Sequence, residues 1–102
     1  MIKQSIKHKD SIMQVWRCCY VCKNTIGLHK HHIFEGRNRN NSEEDGLWLY
    51  LCAKHHNMSD EGIHFNKELD LKVKKEAEKR WLEYYNKTID DFIKRYGKNY
   101  IE

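Results

Sequence analysis

LHKHHIFEGRNRNNSEEDGLWLYLCAKHHN, residues 28–57, is the stretch whose reading decides the fold. It holds five of the seven histidines and one of the four cysteines, Cys52. Mixed apolar and polar residues from Leu28 to Phe34 predict a first strand, and Leu47 to Leu51 a second. Between them Glu35 to Gly46, EGRNRNNSEEDG, reads as a polar loop, long for a hairpin. Cys52 to Asn57 then predicts the start of a short helix. A hairpin followed by a helix would bring His31, His32 and His56 together as a compact metal centre.

The histidines near the front of the stretch divide by geometry. On a regular strand His29 and His31 share a face and His32 points the other way. Adjacent residues do not readily bind one ion, so His31 and His32 should have different tasks: one holds a metal, the other faces a water beside it. His64, eight residues beyond His56, is a candidate to complete the ion's shell or to contact phosphate, because clustered histidines favour metal sites.

Upstream, residues 18–22 read CCYVC. Cys19 and Cys22 have the C-x2-C spacing that lets two thiolates on a tight turn point at one ion. Thirty residues after Cys22, Cys52 and His55 repeat the spacing as C-x2-H. Two such pairs predict a closed tetrahedral Cys3His zinc site. Cys18 is the alternative to Cys19 and is read as a small buried side chain. Four cysteines beside many histidines point to metal in a reducing compartment, with two disulfides after export as the other reading.

The chain of 102 residues fits one small domain that benefits from a metal staple. Charged residues make up 33% and aromatics 12%, a balance that excludes a disordered chain. No apolar run reaches membrane-spanning length and no hydrophobic leader is expected, which predicts a cytoplasmic protein with no membrane partner. The net charge is +4, and residues 1–40 carry eight Lys/Arg against two acids. A basic front half suits a polyanion, although such an excess is also ordinary surface solvation. Residues 1–17 read as a basic arm with Lys3, Lys7 and Lys9, followed by a short helix. Ile12, Val15 and Trp16 would pack that helix on the core, with Met13 less clearly placed. Asn66 is a candidate cap for a helix from Lys67 to about Asn86, with an apolar stripe at Leu69, Val73, Ala77, Trp81 and Tyr84/Tyr85. Thr88 caps a last helix that ends at Gly97, and Tyr100 and Ile101 are expected to fold back onto the domain.

Taken together, C-x2-C, an HH pair followed by Ile, a loop, and a strand running into C-x2-H-H resemble the zinc-containing HNH endonucleases, the ββα-metal or His-Me finger group. The likeness covers residues 19–57. The downstream GIHFNKELDLKVKKEAEKRW is similar to small HNH-like proteins encoded in phages and prophages of Gram-positive bacteria. The resemblance implies an α+β fold: a ββα-metal hairpin–helix core stapled by a structural zinc, residues 18–66, flanked by C-terminal helices, residues 67–102. It implies His32 as the general base, His31 and His56 as ligands of a catalytic ion, and Cys19, Cys22, Cys52 and His55 as structural zinc ligands. His55 stands where the family more often has cysteine.

The family's middle asparagine falls where this chain reads Asp45, Gly46, Leu47. Asn38, Asn40 or Asn41 is left to supply it from the loop, and Asn41 is the candidate chosen. The activity implied is metal-dependent hydrolysis of double-stranded DNA, with magnesium, manganese, nickel or zinc as the catalytic ion. Arg37, Arg39 and Lys30 are expected at the phosphates. A single centre nicks, and a double break needs a homodimer or two encounters. The likeness also implies a phage or prophage gene in a bacterial host. Two other readings stand beside it: a zinc-stabilised DNA-binding module without catalysis, and a phage packaging or structural partner.

Overall fold

The computed structural model describes residues 9–58 and 62–101, the side chains of Asn57 and Met58 excepted; the expected contacts of Lys3 and Lys7 lie outside the described residues. Two short strands, β1 (Leu28–His32) and β2 (Trp48–Cys52), pair antiparallel with His31 opposite Leu49 and His32 opposite Trp48. Alternation along this ladder sends Leu49 and Leu51 into the core, both fully buried. The chain is thus a small mixed α+β domain: one two-stranded sheet, then helices. No helix of the described residues is long and apolar enough to cross a membrane.

The connection between the strands is a correction to the sequence reading. Residues expected to be a loop form a single turn of 3-10 helix (Gly36–Asn38) and then α1 (Arg39–Asp45). The helix was hidden because its buried face is polar: Ser42, Glu43 and Asp45. No apolar periodicity marks such a helix, and its inward groups are stable only because each has a partner. The Ser42 hydroxyl donates to the Leu47 carbonyl and accepts the Phe34 amide, which closes the hairpin. Gly46 ends α1 at φ +77°, and a Cβ there would stand 2.6 Å from the Asp10 carbonyl oxygen. Glycine is therefore required on two counts, conformation and contact.

Asp45 joins α1 to the two C-terminal helices, α2 (Lys67–Tyr85) and α3 (Ile89–Tyr96). Its carboxylate accepts from Trp81 Nε1 at 2.8 Å, Tyr96 Oη at 2.7 Å and Arg95 Nε at 2.6 Å. Burial first, and then this carboxylate, push the Tyr96 phenol far above its ordinary range, so its proton stays in the hydrogen bond. The helix limits agree with the caps read from sequence. Asn66 accepts the Leu69 amide, Thr88 and Asp91 form a reciprocal capping box, and Gly97 adopts the left-handed conformation. Val73, Ala77 and Trp81 are buried as expected and Leu69 and Tyr85 half-buried, but Tyr84 is exposed and Glu78 is buried beside them. The tail folds back where the Tyr100 amide donates to Glu78 Oε1 at 2.7 Å.

The segment before the sheet is the second correction. No helix forms over residues 9–17; Met13 is buried, while Val15 and Trp16 are 91% and 78% exposed. The residues run beside β2 and cover its free edge. Ser11 Oγ donates to the Trp48 carbonyl, Gln14 Oε1 accepts the Tyr50 amide at 2.7 Å, and the Tyr20 amide donates to the Tyr50 carbonyl at 2.8 Å. An unpaired strand edge seeks partners, and satisfying it outweighs the weak helical pattern. Lys9 is engaged too, at 2.7 Å from Tyr84 Oη.

Asp45→Ala leaves Trp81 and Tyr96 without their acceptor and Arg95 with Glu44 alone. The urea midpoint should fall by the equivalent of about 3–5 kcal/mol, the loss expected when one member of a buried charged cluster is removed. A fall under about 1 kcal/mol would mean that Asp45 is not a hub of the fold.

Candidate metal centres

Two clusters flank the hairpin. The first joins its open end to the turn that precedes it. Cys19 and Cys22 sit on a tight turn closed by the Lys23 amide on the Cys19 carbonyl, 2.9 Å, and the Cys19 amide on the Asn24 carbonyl, 2.7 Å. Lys23 takes the left-handed conformation that lets the turn reverse. Cys52 is the last residue of β2, and His55 follows in a π-helical turn (Lys54–Met58). Cys22 Sγ lies 3.7 Å from Cys52 Sγ, Cys52 Sγ 3.3 Å from His55 Nδ1, and Cys19 Sγ 3.8 Å from His55 Nδ1.

Those separations suit a tetrahedral ion. Zinc–sulfur bonds of about 2.3 Å put two sulfurs about 3.8 Å apart. Cys19, Cys22, Cys52 and His55 are thus a group able to hold zinc. Burial disfavours the Cys19 thiolate, but the backbone amides of Cys22, Cys52 and Val21 outweigh it and bring the thiol down to about 6. Cys22 moves the other way. The Asn24 amide favours its thiolate, yet burial and the neighbouring Cys19 and Cys52 sulfurs together raise it. A cation relieves that mutual repulsion. All four cysteines are free thiols, and Cys18 stands outside the group, half-buried rather than buried.

The second cluster is histidine alone. His31, His56 and His64 offer nitrogens that all lie within 4.8 Å of one another. His31 comes from the core face of β1 and is 3% exposed. His56 comes from the π-helical turn. The Ile63 and His64 amides donate to the His55 and His56 carbonyls at 2.8 and 3.3 Å, which returns His64 to the same place. His56 Nε2 and His64 Nε2 are 3.1 Å apart. Imidazoles bound at about 2.1 Å to one ion have nitrogens about 3.0–3.4 Å apart.

The decisive atom is His31 Nε2. It is one of two buried side-chain nitrogens or oxygens among the described residues that have no partner; the other is Glu78 Oε2. Leaving such an atom unsatisfied costs about 1–3 kcal/mol, and a bound ion removes the cost. His31 Nδ1 faces Glu35 Oε2 at 3.6 Å, and a proton kept on Nδ1 toward that carboxylate would leave Nε2 as the lone-pair nitrogen. His29, which the sequence reading left without a role, lies with its Nδ1 2.9 Å from His56 Nδ1. With His56 Nδ1 as the donor of that pair, His56 Nε2 keeps its lone pair for an ion. Burial, helped by the neighbouring histidines, lowers His31 to about 3 and His56 to about 4, so both rings are neutral and able to ligate at pH 7.

A cleft of about 280 Å³ opens beside this cluster, lined by Lys30, His31, His32, Glu35, Arg39 and His56. His32, from the opposite face of β1, meets Glu43 of α1: His32 Nε2 and Glu43 Oε1 are 2.6 Å apart. Arg37 and Arg39 are exposed and make no side-chain bond among the described residues, and Arg39 lines the cleft. Lys30 does not share that freedom. Its ammonium is 2.9 Å from Glu43 Oε1 and 4.2 Å from the centre of the Trp48 ring.

Asn41 is placed elsewhere. Its amide donates to the Arg95 carbonyl at 3.1 Å, and that of Asn38 to the Tyr96 carbonyl at 3.0 Å. Both complete the C-terminal end of α3. Asn41 is thus engaged at the end of α3, whose free carbonyls need donors, and makes no hydrogen bond to the histidines among the described residues. Glu43 is the residue that sequence reasoning missed. Its three-residue spacing from Asn40 on a helix carried no signal without knowledge that α1 exists.

No family model, curated protein or solved structure matches the chain.

Two outcomes follow for the clusters. Cys52→Ala should lose one equivalent of zinc by elemental analysis and melt well below the parent, whereas His64→Ala should keep that zinc and most of the stability. The folded pKa values of His31 and His56 lie below the unfolded value near 6.5. The unfolded chain therefore binds protons first, so their contribution is full above about pH 6.5 and is lost progressively as pH falls toward 4 and 3. The urea midpoint should fall more between pH 7.5 and 5 for the parent than for His31→Leu; equal falls would show that His31 is not buried neutral.

Proposed function

We propose that this protein is a metal-dependent DNA endonuclease with an HNH-like, ββα-metal site. The observation that carries the reading is the division of labour between two adjacent histidines. His31 carries an orphaned buried nitrogen and lies within ligand reach of His56 and His64, while His32 lines the same cleft from the other face of the strand. The turn that carries His55 and His56 would serve as the short helix of such a site, and the Cys3His cluster would anchor its end.

Phosphodiester hydrolysis needs a water deprotonated opposite the leaving oxygen and positive charge around the crowded phosphate. His32 is the group placed to accept that proton. His31, His56 and His64 would hold the ion, and imidazole ligands suit manganese, nickel, cobalt or zinc better than magnesium. A divalent ion bound there supplies Lewis-acid charge to a phosphate oxygen and to the leaving 3′ oxygen. Arg39, beside the histidines, is available to pair with a neighbouring phosphate, and Arg37 to extend that contact. Duplex binding would be sequence-tolerant and salt-sensitive, since it rests on counterion release. One centre per chain nicks one strand per encounter. A phage or prophage setting in a bacterial cell rests on the sequence resemblance alone.

A second reading has one specific observation in its favour. Among the described residues Asn38 and Asn41 are both spent on α3 and Asn40 bonds no histidine, so none of the three takes the part that the family gives to its middle residue. A zinc-stabilised DNA-binding module without catalysis fits that fact.

A supercoiled-plasmid assay separates the two. Nicking that needs manganese, nickel or magnesium, and that falls about 10³-fold in His32→Ala while zinc content and melting are unchanged, is the expected result. Arg39→Ala should weaken duplex binding and flatten its salt dependence by roughly one phosphate contact. No cutting under any metal, with salt-sensitive binding retained, would move the assignment to the binding module.

A further inference from the structure

We infer that Glu43 is the positioning residue of this site, holding the His32 ring by Nε2 so that Nδ1 is the nitrogen presented to the attacking water. The inference rests on the reading of His32 as the base.

A catalytic imidazole has to be held in one orientation and one tautomer, and a neighbouring acceptor normally does both. The two asparagines of the connection that bond α3 are occupied there. Glu43 stands at the ring instead. It is 7% exposed, and its Oε1 lies 2.6 Å from His32 Nε2. The same carboxylate is held from the other side by Lys30, whose ammonium is 2.9 Å from Oε1 and 3.0 Å from Oε2. Lys30 is itself steadied over the Trp48 ring. A carboxylate paired with an ammonium only accepts hydrogen bonds, so the proton between Glu43 and His32 belongs to Nε2. In the base form of the ring Nδ1 is then the lone-pair nitrogen, and it makes no hydrogen bond among the described residues.

The support is rigid. Glu43 sits on α1 two residues before Asp45, which ties that helix to α2 and α3 through Trp81, Arg95 and Tyr96. A group carried on a packed helix fixes its target more closely than one on a loop can. The connection between the strands thus presents a carboxylate to the second histidine, and its helical form is what brings Glu43 to face β1.

The test joins two readouts on the full chain with zinc bound. Selective ¹⁵N labelling of histidine reports the tautomer of His32, and plasmid nicking in manganese reports kcat and KM. Wild type should carry the His32 proton on Nε2. Glu43→Ala should give a mixture of tautomers and lower kcat about 10²-fold with KM little changed. Glu43→Gln keeps shape and packing, yet it can turn its amide NH2 toward the ring; it should fall between wild type and Glu43→Ala. A His32 proton on Nδ1 in wild type, a ring doubly protonated at pH 7.5, or a tautomer unchanged in Glu43→Ala overturns the inference. So does a loss of kcat in Glu43→Ala that merely tracks lost zinc and lost folded protein. A wild-type protein that never cuts overturns the nuclease reading and this role with it; a cutting protein with an unmoved tautomer overturns the role alone.

Discussion

Five residue pairs of one antiparallel ladder set the geometry on which the rest depends. The two-residue period of β1 puts His29 and His31 on the face that carries Leu49 and Leu51, and Lys30 and His32 on the face that carries Trp48. Neighbours in sequence are thereby separated by the strand itself. One histidine is buried where rings from later in the chain can meet it, and the other is left beside α1. A slip of one residue in register would exchange them and take both environments away.

A sheet of two strands has little stability of its own, and the molecule supplements it with polar fastenings rather than with a large apolar core. Asp45 gathers an indole, a phenol and a guanidinium from α2 and α3. Ser42 closes the hairpin, Gln14 and Ser11 cover its edge, and Cys19, Cys22, Cys52 and His55 are placed to be fastened by an ion. Such fastenings work only when every member is satisfied. The histidine cluster departs from that pattern with a buried nitrogen that has no partner, as Glu78 Oε2 does where the tail folds back.

Function and fold share residues closely here. The turn that delivers His55 to the cysteines delivers His56 to His31, so the two clusters are separated by a single peptide unit. Fastening the first limits the motion of the second. The exposed Trp16 and Val15 lie on the segment that covers β2 and are not among the residues that line the cleft.

Much of this was legible along the chain because it depends on local rules. The ligand spacings of Cys19/Cys22 and Cys52/His55, the caps Asn66 and Thr88, the stop at Gly97 and the opposed faces of His31 and His32 follow from turn geometry, capping chemistry and the pitch of a strand. What only the tertiary structure decided concerns groups whose partners are distant in sequence. The polar face of α1 read as a loop because Ser42, Glu43 and Asp45 are stable inside only through residues of the hairpin, α2 and α3. Val15 and Trp16 read as core because helical spacing was weighed without the free edge of β2, whose unpaired amides and carbonyls claim the segment instead. Asn41 read as part of the site because its helix was not foreseen, nor the carbonyl of Arg95 that occupies it. Glu43 entered for the same reason: a side chain's partner is set by which surfaces meet, and that is a property of the packed chain, not of any window of it.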